Sequence, residues 1–158
     1  MELTHFDEMG NARMVDVSEK ENTDRIAIAR GSITMSDAAF KAIRDKRVAK
    51  GDVLTVATTA GIMGATRTFE LIPMCHVIQL HKCGIEWELD EENLEVKAVC
   101  TVKCNGKTGA EMEALTGVTT ALLTVYDMVK AVDKFMVLKD IYLVEKDGGK
   151  SGHIFNTI

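Results

Sequence analysis

The chain contains two kinds of hydrophobic pattern, one repeating every two residues and the other every three to four. The two-residue alternation is typical of β-strands, whose successive side chains point to opposite faces. It predicts four strands, at residues 25–34, 79–89, 94–104 and 136–145. A polar turn at residues 90–93 joins the second strand to the third as a hairpin.

Apolar residues at helical spacing predict two helices between the first and second strands. Ser36 is a good N-cap for a short helix that ends in a basic cluster and is closed by Gly51. Asp52 is a second N-cap, followed by regularly spaced apolar residues at 53–64. The β-branched start of this segment leaves a strand open as an alternative. Its length favours a helix, and its stripe of small residues would let another helix approach closely.

A long helix is predicted over residues 109–132, because Thr108 and Glu111 have the spacing of a capping box. The resulting order of elements, β-α-α-β-β-α-β, is typical of an α+β fold of ferredoxin-like type, an antiparallel sheet with helices packed on one face. Residues 1–24 are polar and without pattern, so we expect a flexible N-terminal arm there. Residues 25–158 are expected to form a single domain.

Composition narrows the class of protein. With 46% hydrophobic and 27% charged residues in 158, the chain is typical of a soluble globular domain. Its formal net charge of −5 disfavours binding to nucleic-acid backbones, so an anion site needs a local cluster of basic residues. No secretory signal or membrane-spanning segment is visible, and four irregularly spaced cysteines fit reduced thiols. These features predict a cytoplasmic protein without a nucleic-acid or membrane partner.

Residues 148–152 (GGKSG) end like a phosphate-binding P-loop. They lack the first glycine of that motif and open no helix, so a true P-loop is excluded. A flexible terminal tail is the favoured interpretation. In the alternative, the glycine backbone folds over an anionic ligand together with Lys146 and Lys150.

Cys75, His76, His81 and Cys83 are of the residue types that bind zinc. Their spacing is poor, since no CxxC or HxxxH pair anchors a tetrahedral site, so we expect no metal site. A metal-dependent enzyme that uses these four residues remains one alternative function. A non-catalytic module that binds a pterin or a nucleotide is another.

Six separated motifs carry a resemblance to a known family. They are 14–18 (MVDVS), 50–53 (KGDV), 71–76 (LIPMCH), 107–116 (KTGAEMEALT), 126–132 (YDMVKAV) and 148–152 (GGKSG). In this order they closely resemble the molybdenum cofactor biosynthesis protein C (MoaC) family, over nearly the whole chain. The chain departs from the usual family motif at two positions: Met74 precedes Cys75, and Val77 stands where the family usually has proline.

The resemblance implies an enzyme, a lyase that converts 3′,8-cyclo-7,8-dihydroguanosine 5′-triphosphate to cyclic pyranopterin monophosphate and releases pyrophosphate. It also implies a ferredoxin-like fold and a homohexamer arranged as a trimer of dimers. No cofactor is expected, although a magnesium ion can accompany the triphosphate.

The resemblance also assigns roles to residues of this chain. The catalytic acid or base falls on Asp127, and further catalytic residues fall on Lys50, His76 and Lys130. Substrate-binding positions fall on Arg25, Met74, Cys75, His76, Glu111, Met112, Glu113 and Lys146. A triphosphate also needs a concentrated positive field. In a chain of negative net charge, that field can come from a local group of basic residues: Arg25, Lys50, Lys130, Lys146 and Lys150.

Glu113 and Asp127 are fourteen residues apart, which on a continuous helix is roughly 21 Å. Their side chains turn to nearly the same side of the helix but cannot both touch one small substrate. We therefore expect a composite site, in which the Glu113 end of one subunit faces the Asp127 end of its partner across a two-fold interface.

Overall fold

Within residues 4–158, which the computed structural model describes, five strands form one antiparallel sheet, and the helices pack on one of its faces. The strands are β1 (Thr23–Thr34), β2 (Leu80–Asp90), β3 (Glu95–Gly106), β4 (Val137–Asp147) and β5 (Ile154–Phe155). The helices are α1 (Asp37–Arg44), α2 (Val53–Thr66), α3 (Thr68–Leu71) and α4 (Glu111–Val129). The order across the sheet is β2-β3-β1-β4-β5, a ferredoxin-like arrangement extended by β5. The predicted fold class is confirmed.

The face of the sheet that meets the helices is built from small and β-branched side chains. β1 pairs with β3 without a register shift, from Thr23 opposite Gly106 to Thr34 opposite Glu95. β3 contributes five side chains that are at most 3% exposed: Val96, Ala98, Cys100, Val102 and Cys104. The alternation in the sequence predicts that these five face the same side, and their common burial confirms it.

Helices α2 and α4 approach so closely that they need glycine where they touch. A Cβ atom on Gly61 would lie 2.9 Å from the carbonyl oxygen of Gly117, and one on Gly64 would lie 2.8 Å from the Cβ of Thr120. A Cβ atom at either position would clash with the facing atom of α4, because non-bonded carbon atoms do not approach other heavy atoms so closely. The predicted helix over 53–64 and the packing role of its small residues are therefore confirmed. Among residues 4–158, no helix has both the length and the hydropathy to cross a bilayer.

Both predicted N-caps are confirmed, but the predicted end of the first helix is wrong. The side chains of Ser36 and Asp52 each accept a hydrogen bond from the backbone N–H three residues on, at 3.3 and 3.2 Å. Gly51 does not close α1, because the helix ends at Arg44. The chain leaves the helix at Lys46, whose φ of 53° lies in the left-handed region.

The predicted capping box at the start of the long helix is also wrong. α4 begins at Glu111 with Ala110 at the N-cap, and no side chain caps it. The Glu111 carboxylate instead forms an ion pair with Lys146 of β4, which draws it away from Thr108. At both ends α4 is shorter than the predicted 109–132, and it ends at Val129.

The hydrophobic pattern does not predict two short elements, α3 and β5. α3 is one turn of helix, and β5 pairs with β4, so the chain beyond Gly152 returns to the edge of the sheet. The predicted arm, residues 1–24, begins with residues 1–3, which lie outside the described residues. Its independent mobility stays a prediction.

The close contact between α2 and α4 makes a specific prediction for stability. Gly61→Leu should lower the free energy of unfolding by about 2–3 kcal/mol, because the new side chain must displace the backbone of α4. Thr59→Leu, on the exposed side of the same helix, should change it by less than about 0.5 kcal/mol. Urea unfolding at fixed protein concentration measures both. Equal losses in the two variants would contradict the packing role of Gly61.

Candidate functional site

The N-terminal end of α4 borders a cavity of about 520 Å³. Its walls come mainly from the loop after α3 and from the first turn of α4. Apolar side chains, including Ile72, Pro73 and Ile78, form much of the remaining surface. The fold therefore brings six of the expected substrate-binding residues to one cavity: Met74, Cys75, His76, Glu111, Met112 and Glu113.

The loop after α3 is shaped by its backbone. Pro73 cannot continue a helix because its ring clashes with the preceding turn and it has no N–H. Met74 then takes a φ of 58°, a left-handed conformation that turns the chain sharply. This turn brings the Cys75 Sγ atom to 4.0 Å from Oε1 of Glu113.

Glu113 is the buried acid of the cavity. Its side chain is 3% exposed, and its Oε2 atom has no hydrogen-bond partner among the described residues. Burial raises the pKa of Glu113 to about 7. Burial and the nearby Glu113 also raise the pKa of the Cys75 thiol, which keeps it protonated rather than nucleophilic. Near neutral pH, Glu113 is thus poised to give or to take a proton.

His76 is held by the N-terminal segment. Its Nε2 atom lies 2.7 Å from the carbonyl oxygen of Val15. A carbonyl oxygen only accepts, so Nε2 is the donor and carries the hydrogen. In the neutral ring, Nδ1 is then the nitrogen that can accept a proton.

Glu111 and Lys146 form an ion pair at the edge of the cavity, with side chains 27% and 20% exposed. Lys146 belongs to β4, which lies beside β1 in the sheet, and it meets the cavity lining through this ion pair with Glu111. The positive charge of Lys146 balances the negative charge of Glu111, so this pair adds no net charge to the edge of the cavity.

Arg25 lies beside this edge and is fixed at two points. Its Nε atom donates to the carbonyl oxygen of Gly106 at 3.0 Å, and its guanidinium packs against Gly149, where any Cβ atom would collide with it. Lys150 follows in the same turn and is exposed. The glycines of residues 148–152 therefore permit a tight turn over Arg25.

A second charged group lies at the other end of α4. Lys130 Nζ is 2.6 Å from Oδ1 of Asp127, and Lys50 Nζ is 3.6 Å from Oδ2. The hydrogen bond from Lys130, together with the charges of both lysines, lowers the pKa of Asp127, and Asp127 in turn raises the pKa of Lys130. All three side chains are at least half exposed. With two basic side chains and one acidic one, this group carries net positive charge.

The predicted site residues thus fall into two groups within one chain. α4 is continuous from Glu111 to Val129, so Glu113 and Asp127 are separated by about 21 Å along its axis. The N-terminal group holds the six cavity residues with Lys146, Arg25 and Lys150 close by. The C-terminal group holds Lys50, Asp127 and Lys130.

Sequence reasoning missed His5 and Phe6, which also line the cavity. They lie in a segment without hydrophobic periodicity, so no pattern could indicate their place. Its short run Asp7 to Asn11 does carry turn-forming residues, and that was the one available signal.

The described residues 4–158 contain no group of three or more His, Cys, Asp or Glu side chains arranged to hold a metal ion. His76 binds Val15, and Cys83 shares a hydrogen bond with Cys100, so neither is directed at a common centre with His81. The metal-dependent alternative has no geometric support in this part of the chain.

Comparison with known proteins gives consistent matches. A family model described as the MoaC family matches residues 14–149. A protein of Heliobacterium modesticaldum named cyclic pyranopterin monophosphate synthase is 58% identical over 151 residues, covering 96% of this chain and 95% of its own. Proteins of the same name from Dinoroseobacter shibae and Clostridium acetobutylicum are 57% and 55% identical over 150 residues, covering 95% of this chain and 95% and 93% of their own.

The buried Glu113 makes a prediction for stability against pH. The pKa is raised in the folded state, so the wild type should lose stability as pH rises from the ordinary value of 4.5 to about 7. Glu113→Gln should lack this loss, which amounts to about 3 kcal/mol. Urea unfolding at fixed protein concentration and several pH values measures it. Glu92→Gln, in an exposed turn, should leave the wild-type loss in place. Identical profiles for wild type and Glu113→Gln would contradict the assignment.

Proposed function

The chain belongs to the MoaC family, and on that premise we propose that it is a cyclic pyranopterin monophosphate synthase of molybdenum cofactor biosynthesis. It converts 3′,8-cyclo-7,8-dihydroguanosine 5′-triphosphate to cyclic pyranopterin monophosphate and pyrophosphate, as a lyase. The observation that carries the proposal is a cavity with a buried carboxyl group, whose Oε2 atom has no hydrogen-bond partner among residues 4–158, combined in one chain with a separate lysine–aspartate cluster. Its four free cysteines fit a reducing, cytoplasmic location.

The cavity suits the ring system of this substrate. Its volume is in the range of small-molecule sites, and it combines apolar walls with a few polar groups. The thioethers of Met74 and Met112 can pack on the faces of a flat heterocycle. Opening and rebuilding a purine ring requires protons to move on and off nitrogen and oxygen, and Glu113, whose pKa is raised to about 7, can give or take a proton near neutral pH, with the free Nδ1 of His76 as a second acceptor in the cavity.

The phosphates of the substrate need cations near the cavity. Lys146 is paired with Glu111 of the cavity lining, Arg25 packs against the turn that contains Lys150, and lysine and arginine bind phosphate oxygens by charge-assisted hydrogen bonds. Negative charge develops on pyrophosphate as it leaves, so the same cations favour its departure. A magnesium ion would arrive with the triphosphate rather than in a protein cage.

The lysine–aspartate cluster completes the site from a second subunit. Asp127, held ionised by Lys130 and Lys50, acts as a base, and the lysines stabilise the negative charge that develops on the reacting phosphate. One chain cannot apply Glu113 and Asp127 to the same small molecule, because α4 separates them. A two-fold pairing of chains places Asp127 of the partner subunit against the cavity, and three such dimers form the homohexamer.

The activity has a direct test. Purified protein incubated with the cyclised nucleotide should release pyrophosphate, and Asp127→Asn should lower kcat by about a hundredfold or more, because the base is lost. Asp140→Asn is a matched control, since Asp140 is exposed, lies on β4, and has a φ of 52° that Asn tolerates. No release by the wild type would overturn the proposed function. Binding of the nucleotide by the wild type without release would point to a binding module instead, and unchanged kcat in Asp127→Asn would remove Asp127 from the mechanism.

The composite site has its own test in mixed assemblies. Glu113→Ala and Asp127→Ala chains, each inactive alone, should regain about a quarter of wild-type activity when refolded together, because each hybrid dimer has one intact site. Asp127→Ala mixed with Lys130→Ala is the control. Both changes lie in the same cluster, so every site is damaged and no recovery is expected. Absence of recovery in verified hybrids of the first pair, or equal recovery in the control, would rule out sharing between subunits.

A further inference from the structure

Residues 5–13 form a small hairpin that the proposed mechanism does not use. The Arg13 N–H donates to the carbonyl oxygen of His5 at 2.8 Å, and Phe6 and Ala12 form an isolated β-bridge. Gly10, with a φ of 81°, makes the turn, a conformation that glycine adopts without strain. We call residues 5–13 the N-terminal hairpin.

Two backbone hydrogen bonds close the turn of this hairpin, from the Asp7 N–H to the carbonyl oxygen of Asn11 at 2.9 Å and from the Gly10 N–H to that of Asp7 at 3.0 Å, and the side chain of Asp7 adds three more. Its Oδ1 atom accepts hydrogen bonds from the backbone N–H groups of Met9 and Asn11 at 2.9 and 2.8 Å. Its Oδ2 atom accepts a third from the side-chain amide of Asn11 at 3.1 Å. An isolated two-stranded hairpin is marginal in water, so three hydrogen bonds accepted by one carboxylate contribute substantially to holding it.

The chain that follows the hairpin is fastened to both loops of the cavity. His76 of the loop after α3 binds the carbonyl oxygen of Val15 at 2.7 Å. Lys107 of the loop before α4 donates to the carbonyl oxygen of Ser18 at 2.9 Å. These two attachments hold the hairpin at the cavity, where His5 and Phe6 become part of its wall.

Phe6 remains partly exposed to solvent in this position. Its side chain is 48% exposed although it lines the cavity. Pro73 and Met112 are further apolar residues of the same cavity lining. A flat heterocycle would cover the Phe6 ring by stacking, which every aromatic base permits.

We propose that the N-terminal hairpin is a wall of the substrate site, that Phe6 packs against the ring system of the substrate, and that Asp7 is the positioning residue that holds Phe6 there. This inference rests on the proposed function for the identity of the substrate. It adds to the site a segment that begins before residue 14, where the family match begins.

The contact is tested with Phe6 variants and the cyclised nucleotide. Phe6→Ala should raise KM and the calorimetric Kd about tenfold and change kcat by less than about threefold, because binding is lost but proton transfer is not. Phe6→Leu keeps part of the apolar contact, so its KM and Kd should lie between those of the wild type and those of Phe6→Ala. Wild-type KM and Kd in Phe6→Ala would overturn the contact.

The positioning role is tested separately from the contact. Asp7→Ala should raise KM to a similar extent, and Asp7→Asn should recover most of the loss because its side-chain oxygen still accepts from the backbone. Glu8→Ala, which removes the neighbouring exposed carboxylate, should match the wild type. Hydrogen exchange should show residues 5–13 protected by the nucleotide in the wild type and not in Asp7→Ala. If Asp7→Ala has the same KM and the same protection of residues 5–13 as the wild type, Asp7 has no positioning role.

The outcomes also separate this inference from the proposed function. If the wild type converts the nucleotide and all Phe6 and Asp7 variants behave like the wild type, the proposed function stands and the hairpin is not a wall of the site. If the wild type binds the nucleotide and the hairpin becomes protected, but no pyrophosphate is released, the hairpin is a wall of the binding site and the proposed function is wrong. A wild type that neither binds nor converts it rejects both.

Discussion

The length and rigidity of α4 determine how function is distributed in this molecule. Its nineteen residues form one continuous helix, packed on the sheet and pressed against α2 through Gly61, Gly64 and Gly117. Nothing in that contact allows the helix to bend its ends together, and the helical rise keeps Glu113 and Asp127 about 21 Å apart. One chain therefore has its own hydrophobic core, while the two groups of proposed site residues lie at opposite ends of one helix. If the proposed reaction needs both Glu113 and Asp127, the chains must associate in order to react.

The two ends of α4 also differ in electrostatic character, and the difference arises from burial. At the N-terminal end, desolvation raises the pKa of Glu113 to about 7, so that the acid is partly protonated at neutral pH. At the exposed C-terminal end, Lys130 and Lys50 lower the pKa of Asp127 and keep it ionised. Carboxyl groups with opposed protonation states are a common basis for acid and base roles in one site. The net charge of −5 conceals this arrangement, because the basic residues that matter are few and local.

Local patterns predicted most of the fold and none of its long-range ion pairs. Alternation located four strands and the hairpin between β2 and β3, and the small-residue stripe of α2 correctly indicated close helix packing. The capping box failed because Glu111 has a stronger partner in Lys146, a contact that no local window contains. For the candidate site, spacing along α4 correctly predicted that Glu113 and Asp127 lie far apart, and that they meet in one site between subunits stays a prediction. The place of His5 and Phe6 at the cavity could not be predicted, because it depends on the distant attachments made by His76 and Lys107.

A site shared between subunits is tested most directly by the position of Asp127 relative to bound substrate. The measurement is a crystal structure of the assembled Lys130→Ala variant, which should turn over slowly, with the cyclised nucleotide bound. The carboxylate of Asp127 of the partner subunit should lie within hydrogen-bonding distance, about 3 Å, of a ligand whose ring system contacts Glu113. A ligand seated against Glu113 and out of contact with every Asp127 in the assembly would contradict the shared site.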